Sequence, residues 1–461
     1  MLRARRALLL ALFALTAYSR ADDAVTPGKL NPRVAVKSFS YALYVPPKYD
    51  PRQQWPAVFV LDPGARGARA AERFILGADK YGYIVAASND SRNGPLRFDA
   101  INAMWADVTS HFNIDKRRMY VAGMSGGARA AISVAAVCND CAAGIIACAA
   151  GFPEKVPFDS AKIMFFGIAG MYDFNYPELY RDNETLDRAH ATHRFDSFDG
   201  PHEWPPAETL STALGWFRLQ EMARGTTPRD PSYIKNYFEN DSSRAAQLES
   251  DGKLYPAYLA YKQLIADFAP LLDISGARKH YDALKDRREI PNGAKSERNH
   301  FAAQDAFQSP ILTLMQSIEA GTADSDIAIR AIQLTNDLRE RSLREKDPNQ
   351  LIPLRRALGG ITIAAFETAN ITKKRNDLVA TRRLYQVALA TRPDSPDLLY
   401  NIACIYALEG NRKEAIRTLK SSIEHGFQNF DLLKNDPDLE KLRSDPEFKK
   451  LLAGVQPPHK D

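Results

Sequence analysis

The chain has 461 residues, a formal net charge of +5 at pH 7, 45% hydrophobic residues and 25% charged residues. This composition is typical of a globular protein, and the length allows two or three domains. Four arginines lie in residues 1–21, and without them the formal charge falls from +5 to +1. The basic balance is therefore not the footprint of a nucleic-acid-binding protein.

The N-terminus has the pattern of a secretory signal. Arginines at positions 3, 5 and 6 precede an apolar stretch over residues 7–18, and Ser19 and Ala21 place small side chains at the cleavage positions. We expect residues 1–21 to be a signal peptide and the mature protein to be periplasmic or secreted, with no membrane span. A retained anchor is the alternative, although the apolar stretch is short for one. No cysteine stands at the cleavage point, which argues against a lipoprotein.

Strand and helix patterns alternate from about residue 34 to 220. The predicted strands are 39–45, 55–61, 83–87, the run before Ser125, 143–150, 162–168 and 194–198, and the predicted helices include 70–80, 100–112 and 207–222. This alternation predicts an α/β domain whose mainly parallel sheet is covered by helices on both faces. We expect this domain to occupy residues 34–224.

Helix pairs replace strands from about residue 225. A period of about 34 residues appears, which is the length of a tetratricopeptide repeat. The positions that fit it best are Leu399, Ile402, Ala403, Tyr406, Gly410, Ala415 and Leu419, with weaker copies near 245–261 and 369–393. We expect a helical region with one weak repeat-like unit over 225–360 and tetratricopeptide-like repeats over 361–455. Most of these side chains simply pack paired helices together.

The pentapeptide Gly123–Gly127 is a G-x-S-x-G motif in a strand–turn–helix context. Glycine on either side of Ser125 allows a turn so tight that the serine backbone is strained and its Oγ is held above the sheet edge. The Gly126 N–H opens a helix and can point at a developing oxyanion. The motif predicts a nucleophilic serine, and a plain glycine-rich turn is the alternative.

A serine hydroxyl needs a base, and topology selects among the eight histidines. His202 lies in an irregular loop after the last predicted strand, whereas the other histidines fall in strands, helices or tails. Asp173 is the first carboxylate after the strand between Ser125 and His202, so it can orient the imidazole. Asp182 and Asp187 compete for this role but lie further along the chain, in a segment of helical character.

A second oxyanion donor should follow the strand that ends at Leu61. Gly64 or Ala65 would supply its N–H, although glycines here also suit a simple turn. Arg66 is expected to face solvent. We expect neither a metal nor an organic cofactor.

Three of the four cysteines are crowded as Cys138, Cys141 and Cys148. No second C-x-x-C or histidine pair completes a metal site, and export favours a disulfide among these three, with its connectivity open. Cys404 is expected to be a buried small residue within a helical repeat.

These residues resemble the α/β-hydrolase superfamily, especially its exported esterases similar to polyhydroxybutyrate depolymerases, feruloyl esterases and dienelactone hydrolases. The resemblance rests on Gly123–Gly127, Asp173 and the loop 202–205, and it implies ester hydrolysis through Ser125, Asp173 and His202. Two features depart from the family. The first oxyanion loop reads Asp62-Pro63-Gly64 instead of carrying a His-Gly pair, and residues 152–160 leave little room for a lid.

With no evident lid, we expect an open site that accepts small-molecule or polymer-borne esters. A serine peptidase of the prolyl-oligopeptidase kind is the alternative enzyme, but residues before 34 cannot encode its propeller. The other alternative is a hydrolase-like protein without turnover. The C-terminal half is similar to tetratricopeptide proteins, which implies binding of a peptide or protein partner.

Overall fold

The computed structural model describes residues 25–138, 140–153, 163–321 and 325–454. The predicted signal segment, residues 1–21, lies outside them, as does most of the stretch 152–160. The described residues form a sheet region flanked by helices, followed by a remainder that is helical.

Eight strands make up the sheet among the described residues. They are β1 (Leu30–Val36), β2 (Phe39–Tyr44), β3 (Trp55–Leu61), β4 (Ile84–Ser88), β5 (Ile114–Met124), β6 (Gly144–Cys148), β7 (Met164–Gly170) and β8 (His193–Phe198). Their order is β1-β2-β4-β3-β5-β6-β7-β8. β2 runs antiparallel to both β1 and β4, while the pairs from β4 through β8 are parallel.

Five helices accompany the strands: α1 (Gly67–Tyr81), α2 (Phe98–His111), α3 (Gly126–Val137), α4 (Tyr176–Arg188) and α5 (Ala207–Ala223). Buried apolar residues form one cluster on each face of the sheet. β3, β4, β6 and β7 are almost entirely buried and carry mainly apolar residues, and β5 is buried over its second half, as expected for parallel strands covered on both faces. The mainly parallel sheet therefore has the layered α/β arrangement predicted from the alternating pattern.

The helices that follow are α6 (Pro231–Ser250), α7 (Leu254–Phe268), α8 (Ser275–Lys285), α9 (Glu289–Glu319), α10 (Ser325–Arg344), α11 (Pro348–Lys374), α12 (Leu378–Thr391), α13 (Pro396–Leu408), α14 (Arg412–Glu424), α15 (Phe430–Asn435), a 3₁₀ helix (Pro437–Leu442) and α16 (Pro446–Gly454). They bury three further apolar clusters, which lie around α6–α8, α9–α13 and α13–α16. Among the described residues, no helix combines the length and the apolar character needed to cross a membrane.

A buried polar network joins the sheet to these helices. Arg194 of β8 contacts Asp241 of α6 at 2.9 Å, and the indole N–H of Trp216 in α5 donates to Asp267 of α7 at 2.7 Å. Burial raises the pKa of Asp267 to about 7, against the opposing charge of Arg194 and the hydrogen bonds that it accepts. These polar contacts fix the position of α6 and α7 against the sheet region, and the helices α6 to α16 are called the helical half below.

Candidate active site

Ser125 occupies the turn between β5 and α3. Its φ of 54° and ψ of −124° are a conformation that residues with a side chain rarely adopt. Its N–H donates to the carbonyl of Cys148 at 2.8 Å, so the neighbouring strand β6 holds the turn in place. The serine side chain is thereby presented at the carboxyl edge of the sheet, where ligands bind in open α/β folds.

The glycines of the motif are required by close backbone packing. A Cβ at Gly123 would lie 2.1 Å from the carbonyl oxygen of Gly127, and a Cβ at Gly127 would lie 2.1 Å from that of Leu61. Both distances are far below van der Waals contact with backbone atoms that cannot move aside. The spacing of the motif therefore sets the approach of α3 to β3 and β5.

The structure brings Ser125, His202 and Asp173 together. His202 Nε2 lies 2.9 Å from Ser125 Oγ, and His202 Nδ1 lies 2.9 Å from Asp173 Oδ1. Asp173 is fully buried, and the N–H of Asn175 donates to its Oδ1 at 2.8 Å. With Asp173 ionised, Nδ1 is the protonated nitrogen and Nε2 can accept a proton from the serine.

Two loops position His202 and Asp173. The N–H of Met171 donates to Phe198 and that of Tyr172 donates to Gly200, so the loop after β7 is tied to the one after β8. The ring of Phe174 lies 4.4 Å from the imidazole of His202. These contacts restrict the imidazole to the plane between its two partners.

The competing carboxylates have other partners. Asp182 accepts from the N–H of Phe152 at 3.0 Å, and Asp187 pairs with Lys262 at 2.6 Å. Both lie in α4. The carboxylate that contacts His202 is therefore that of Asp173, which chain order favoured.

The predicted oxyanion donors differ in their surroundings. Gly126 is the first residue of α3, so its N–H has no partner within the helix. The N–H of Gly64 donates to Asp62 Oδ1 at 2.7 Å, and that of Ala65 donates to the Asp62 carbonyl at 3.1 Å. Both amides of this loop are thus already used by its own turn.

Asp62 organises that loop, a role that the sequence did not reveal. Its buried carboxylate pairs with Arg66 at 2.9 Å and accepts from the indole N–H of Trp204 at 2.8 Å, so it joins this loop to the one that carries His202. Burial opposes ionisation, but Arg66, Trp204 and the Gly64 N–H hold the pKa of Asp62 below its usual range. Arg66, expected to face solvent, is half-exposed and bound to Asp62.

Asn93 is a second residue that the sequence did not single out. Its side chain lies against Gly126, where an added Cβ would stand 1.9 Å from Asn93 Oδ1 and 3.5 Å from Nδ2. Its N–H donates to the carbonyl of Pro63 at 2.8 Å. A side-chain amide is therefore held beside the first N–H of α3. No motif marks such a residue, because the loop brings it there from 32 positions upstream of Ser125.

The helical half borders the site, which corrects the expectation of an open one. Gln304 of α9 donates to the carbonyl of Phe174 at 3.0 Å. Glu367 of α11 lies 3.4 Å from Asn93 Nδ2, and Gly360 lies next to the Phe174 side chain. Most of the stretch 152–160 lies outside the described residues, so the prediction about a lid there stays a prediction, but helices from a distant part of the chain contact the loops around the site.

Two of the four cysteines are paired with each other. Cys138 and Cys141 form a disulfide, while Cys148 in β6 and Cys404 in α13 are buried and free within the described residues. Cys404 lies near Asp436 and Asp438 in an arrangement that could hold a metal ion, but Asp436 already accepts from the hydroxyl of Tyr400 at 2.8 Å.

The chain was compared with protein families, curated proteins and solved structures. No protein-family model matches the sequence, and no curated protein matches it. An S-formylglutathione hydrolase from Staphylococcus aureus is 15% identical, with 39% of this chain and 89% of that chain covered and a TM-score of 0.33. A ferulic acid esterase is 15% identical over 38% and 90%, with a TM-score of 0.33. A substrate-bound fluorophosphonate-binding serine hydrolase, also from Staphylococcus aureus, is 15% identical over 41% and 98%, with a TM-score of 0.35. Sequence identities and TM-scores this low carry no argument about chemistry, so the function proposed below is argued from the geometry of the site.

Proposed function

We propose that this protein is an exported serine hydrolase that cleaves carboxylic esters through an acyl-enzyme intermediate. The observation that carries the proposal is the continuous hydrogen-bonded line from Ser125 Oγ through His202 to the buried carboxylate of Asp173, with 2.9 Å at each step. This is the arrangement of nucleophile, base and orienting acid that acyl transfer requires. The strained backbone of Ser125 supports it, because such strain clusters at functional sites.

In this mechanism Ser125 Oγ attacks the ester carbonyl while His202 Nε2 takes its proton. The C–O bond of the tetrahedral intermediate then breaks, and His202 returns the proton to the leaving alcohol. Water repeats the sequence on the acyl-enzyme and releases the acid. Asp173 keeps the imidazole in the correct tautomer and stabilises the imidazolium.

The developing oxyanion needs two donors. Gly126 N–H, at the start of α3, is the first. The side-chain amide of Asn93 lies against Gly126 with its Oδ1, so it would be the second donor only if its Nδ2, which donates to Glu367 at 3.4 Å, turned toward the substrate. Gly64 or Ala65 would serve only if its N–H left Asp62 when substrate bound.

Export and partner binding are further parts of the proposal. Export is supported by the arginines and the apolar stretch of residues 1–21, and a tetratricopeptide-like identity of α12–α14 by the spacing of about 34 residues. The substrate class of the proposal is a small-molecule or polymer-borne ester, which would enter a site whose flanking loops contact α9 and α11.

The proposal is tested by steady-state hydrolysis with purified protein. A series of p-nitrophenyl esters, a feruloyl ester and aminopeptidase substrates are compared for wild type and Ser125→Ala. We expect ester turnover that Ser125→Ala abolishes. Turnover of the aminopeptidase substrates alone would identify a peptidase, and no Ser125-dependent turnover of any substrate would contradict the proposal.

A further inference from the structure

α11 reaches the site at two separate points. Arg356, near its start, donates from Nε to the carbonyl of Met171 at 2.8 Å, and Glu367, eleven residues later, lies at Asn93. Gly360, between them, faces the side chain of Phe174. Eleven residues of helix span about 16 Å, so α11 runs alongside the site from the loop of Asp173 to the start of α3.

Arg356 is the most deeply buried contact on this line. Its residue surface is only 2% exposed, and its guanidinium lies 4.0 Å from the ring centroid of Tyr176 and 5.8 Å from that of Phe301. Burial lowers the pKa of Arg356, while Tyr176, Glu297 and Asp173 oppose that shift. A buried guanidinium has a large desolvation cost, which only nearby acceptors and anions can offset.

The same junction contains unpaired polar atoms. Asp173 Oδ2 and Arg356 Nη1 are both buried and without a hydrogen-bond partner among the described residues. Gln304 Oε1 and His300 Nδ1, both on α9, are also buried and have no hydrogen-bond partner within the described part of the chain. Unpaired buried polar atoms are uncommon in folded proteins, so those on Asp173, Arg356 and α9 mark this junction as polar rather than apolar.

We propose that Arg356 is a positioning residue for Asp173 and that the helical half is thereby part of the catalytic unit. The Arg356 Nε–H holds the carbonyl of Met171, two residues before Asp173, and its positive charge attracts the Asp173 carboxylate. Asp173 then keeps His202 aligned with Ser125. This role rests on the proposed function of Ser125 and deepens it.

The experiment compares full-length wild type with Arg356→Gln, Arg356→Lys and Leu384→Ala. Glutamine keeps a short N–H donor but removes the charge, whereas lysine keeps the charge. Leu384 is fully buried in the apolar cluster of α9–α13, away from the Asp173 loop, so its truncation destabilises the helical half alone. Tyr176→Leu removes the ring under the guanidinium and is a second way to disturb the position of Arg356.

Two readouts are measured for each variant. The first is the far-downfield proton resonance of the His202 Nδ1–H···Asp173 hydrogen bond, assigned by its loss in His202→Ala. The second is kcat and KM for the best ester. We expect Arg356→Gln to broaden or shift the resonance and to lower kcat about 10- to 100-fold with little change in KM, because small displacements of a catalytic group are costly.

Arg356→Lys keeps the charge but loses the Nε–H donor and the planar stack on Tyr176, so its kcat should lie between those of wild type and Arg356→Gln. Leu384→Ala should lower Tm but keep both the resonance and kcat. Tyr176→Leu should shift the resonance in the same direction as Arg356→Gln. An unchanged resonance in both Arg356→Gln and Tyr176→Leu would overturn the inference. So would a loss of kcat in Leu384→Ala equal to that in Arg356→Gln.

The resonance does not depend on turnover. If no ester is hydrolysed but the resonance responds as expected, the proposed function fails and the positioning role stands. If wild type hydrolyses esters and the resonance does not change in the Arg356 variants, the proposed function stands and the positioning role fails.

Discussion

Substitution of Gly123 by alanine perturbs the turn at Ser125 without removing any polar group. The new Cβ would lie 2.1 Å from the carbonyl oxygen and 2.3 Å from the carbonyl carbon of Gly127, both backbone atoms in the first turn of α3. Relief of this clash requires a separation of at least 3.0 Å, which moves α3 away from β5 by about 1 Å.

That movement displaces both Ser125 Oγ and the Gly126 N–H from the reacting carbonyl. A displacement of this size costs about 100-fold in rate, and overpacking of this kind costs about 1–3 kcal/mol of stability. We therefore expect kcat/KM of Gly123→Ala to fall by about two orders of magnitude while the protein remains folded at 25 °C.

The matched control is Gly276→Ala. Gly276 lies in α8 with nothing within 4 Å of an added Cβ, so alanine there should leave activity unchanged and stabilise the helix by up to about 1 kcal/mol. Ester hydrolysis and urea denaturation are measured on both variants. A Gly123→Ala protein with wild-type kcat/KM would refute the argument that the glycine sets the position of Ser125.

Three further outcomes are expected. Asp173→Asn should lower kcat about 10⁴-fold with an unchanged fold, because the amide favours the wrong tautomer of His202; circular dichroism and ester kinetics check this, and loss of less than 10-fold would contradict it. Asp62→Ala should lower the free energy of unfolding by about 1–3 kcal/mol, because Trp204 loses its buried acceptor; a urea midpoint equal to that of wild type would count against this. The folded pKa of Asp267 is raised to about 7, above its unfolded value of 3.8. As the pH rises from about 4 to 7, the free energy of unfolding of wild type should therefore fall relative to that of Asp267→Asn. Urea unfolding at several pH values measures this, and a pH-independent difference would refute it.

The alternating patterns predicted most of the sheet and its central elements. β3 was predicted with its observed bounds, and α5 was predicted to end one residue before its observed end, because buried strands and long helices with many apolar residues leave strong local signals. β1 (Leu30–Val36) was missed. Its half-exposed sequence, which contains Pro32, lacks the apolar run that marks the other strands.

Chain order was sufficient to select Ser125, Asp173 and His202, because each follows the carboxyl end of a strand and those ends meet at one edge of the sheet. Their catalytic roles stay a prediction. Asn93 and Arg356 could not be selected, because each reaches the site through a loop or helix whose placement depends on tertiary packing. An arginine in a helix more than 150 residues after His202 carries no local signal of contact with the loop of Asp173.

The central claim is that Ser125 is a nucleophile activated by His202. The most direct measurement is reaction with a fluorophosphonate, followed by intact mass and peptide mapping of the adduct. The account predicts one adduct per chain, located on Ser125, with no adduct in Ser125→Ala and a strongly reduced labelling rate in His202→Ala. A folded wild-type protein that does not label, or equal labelling of Ser125→Ala, would contradict it.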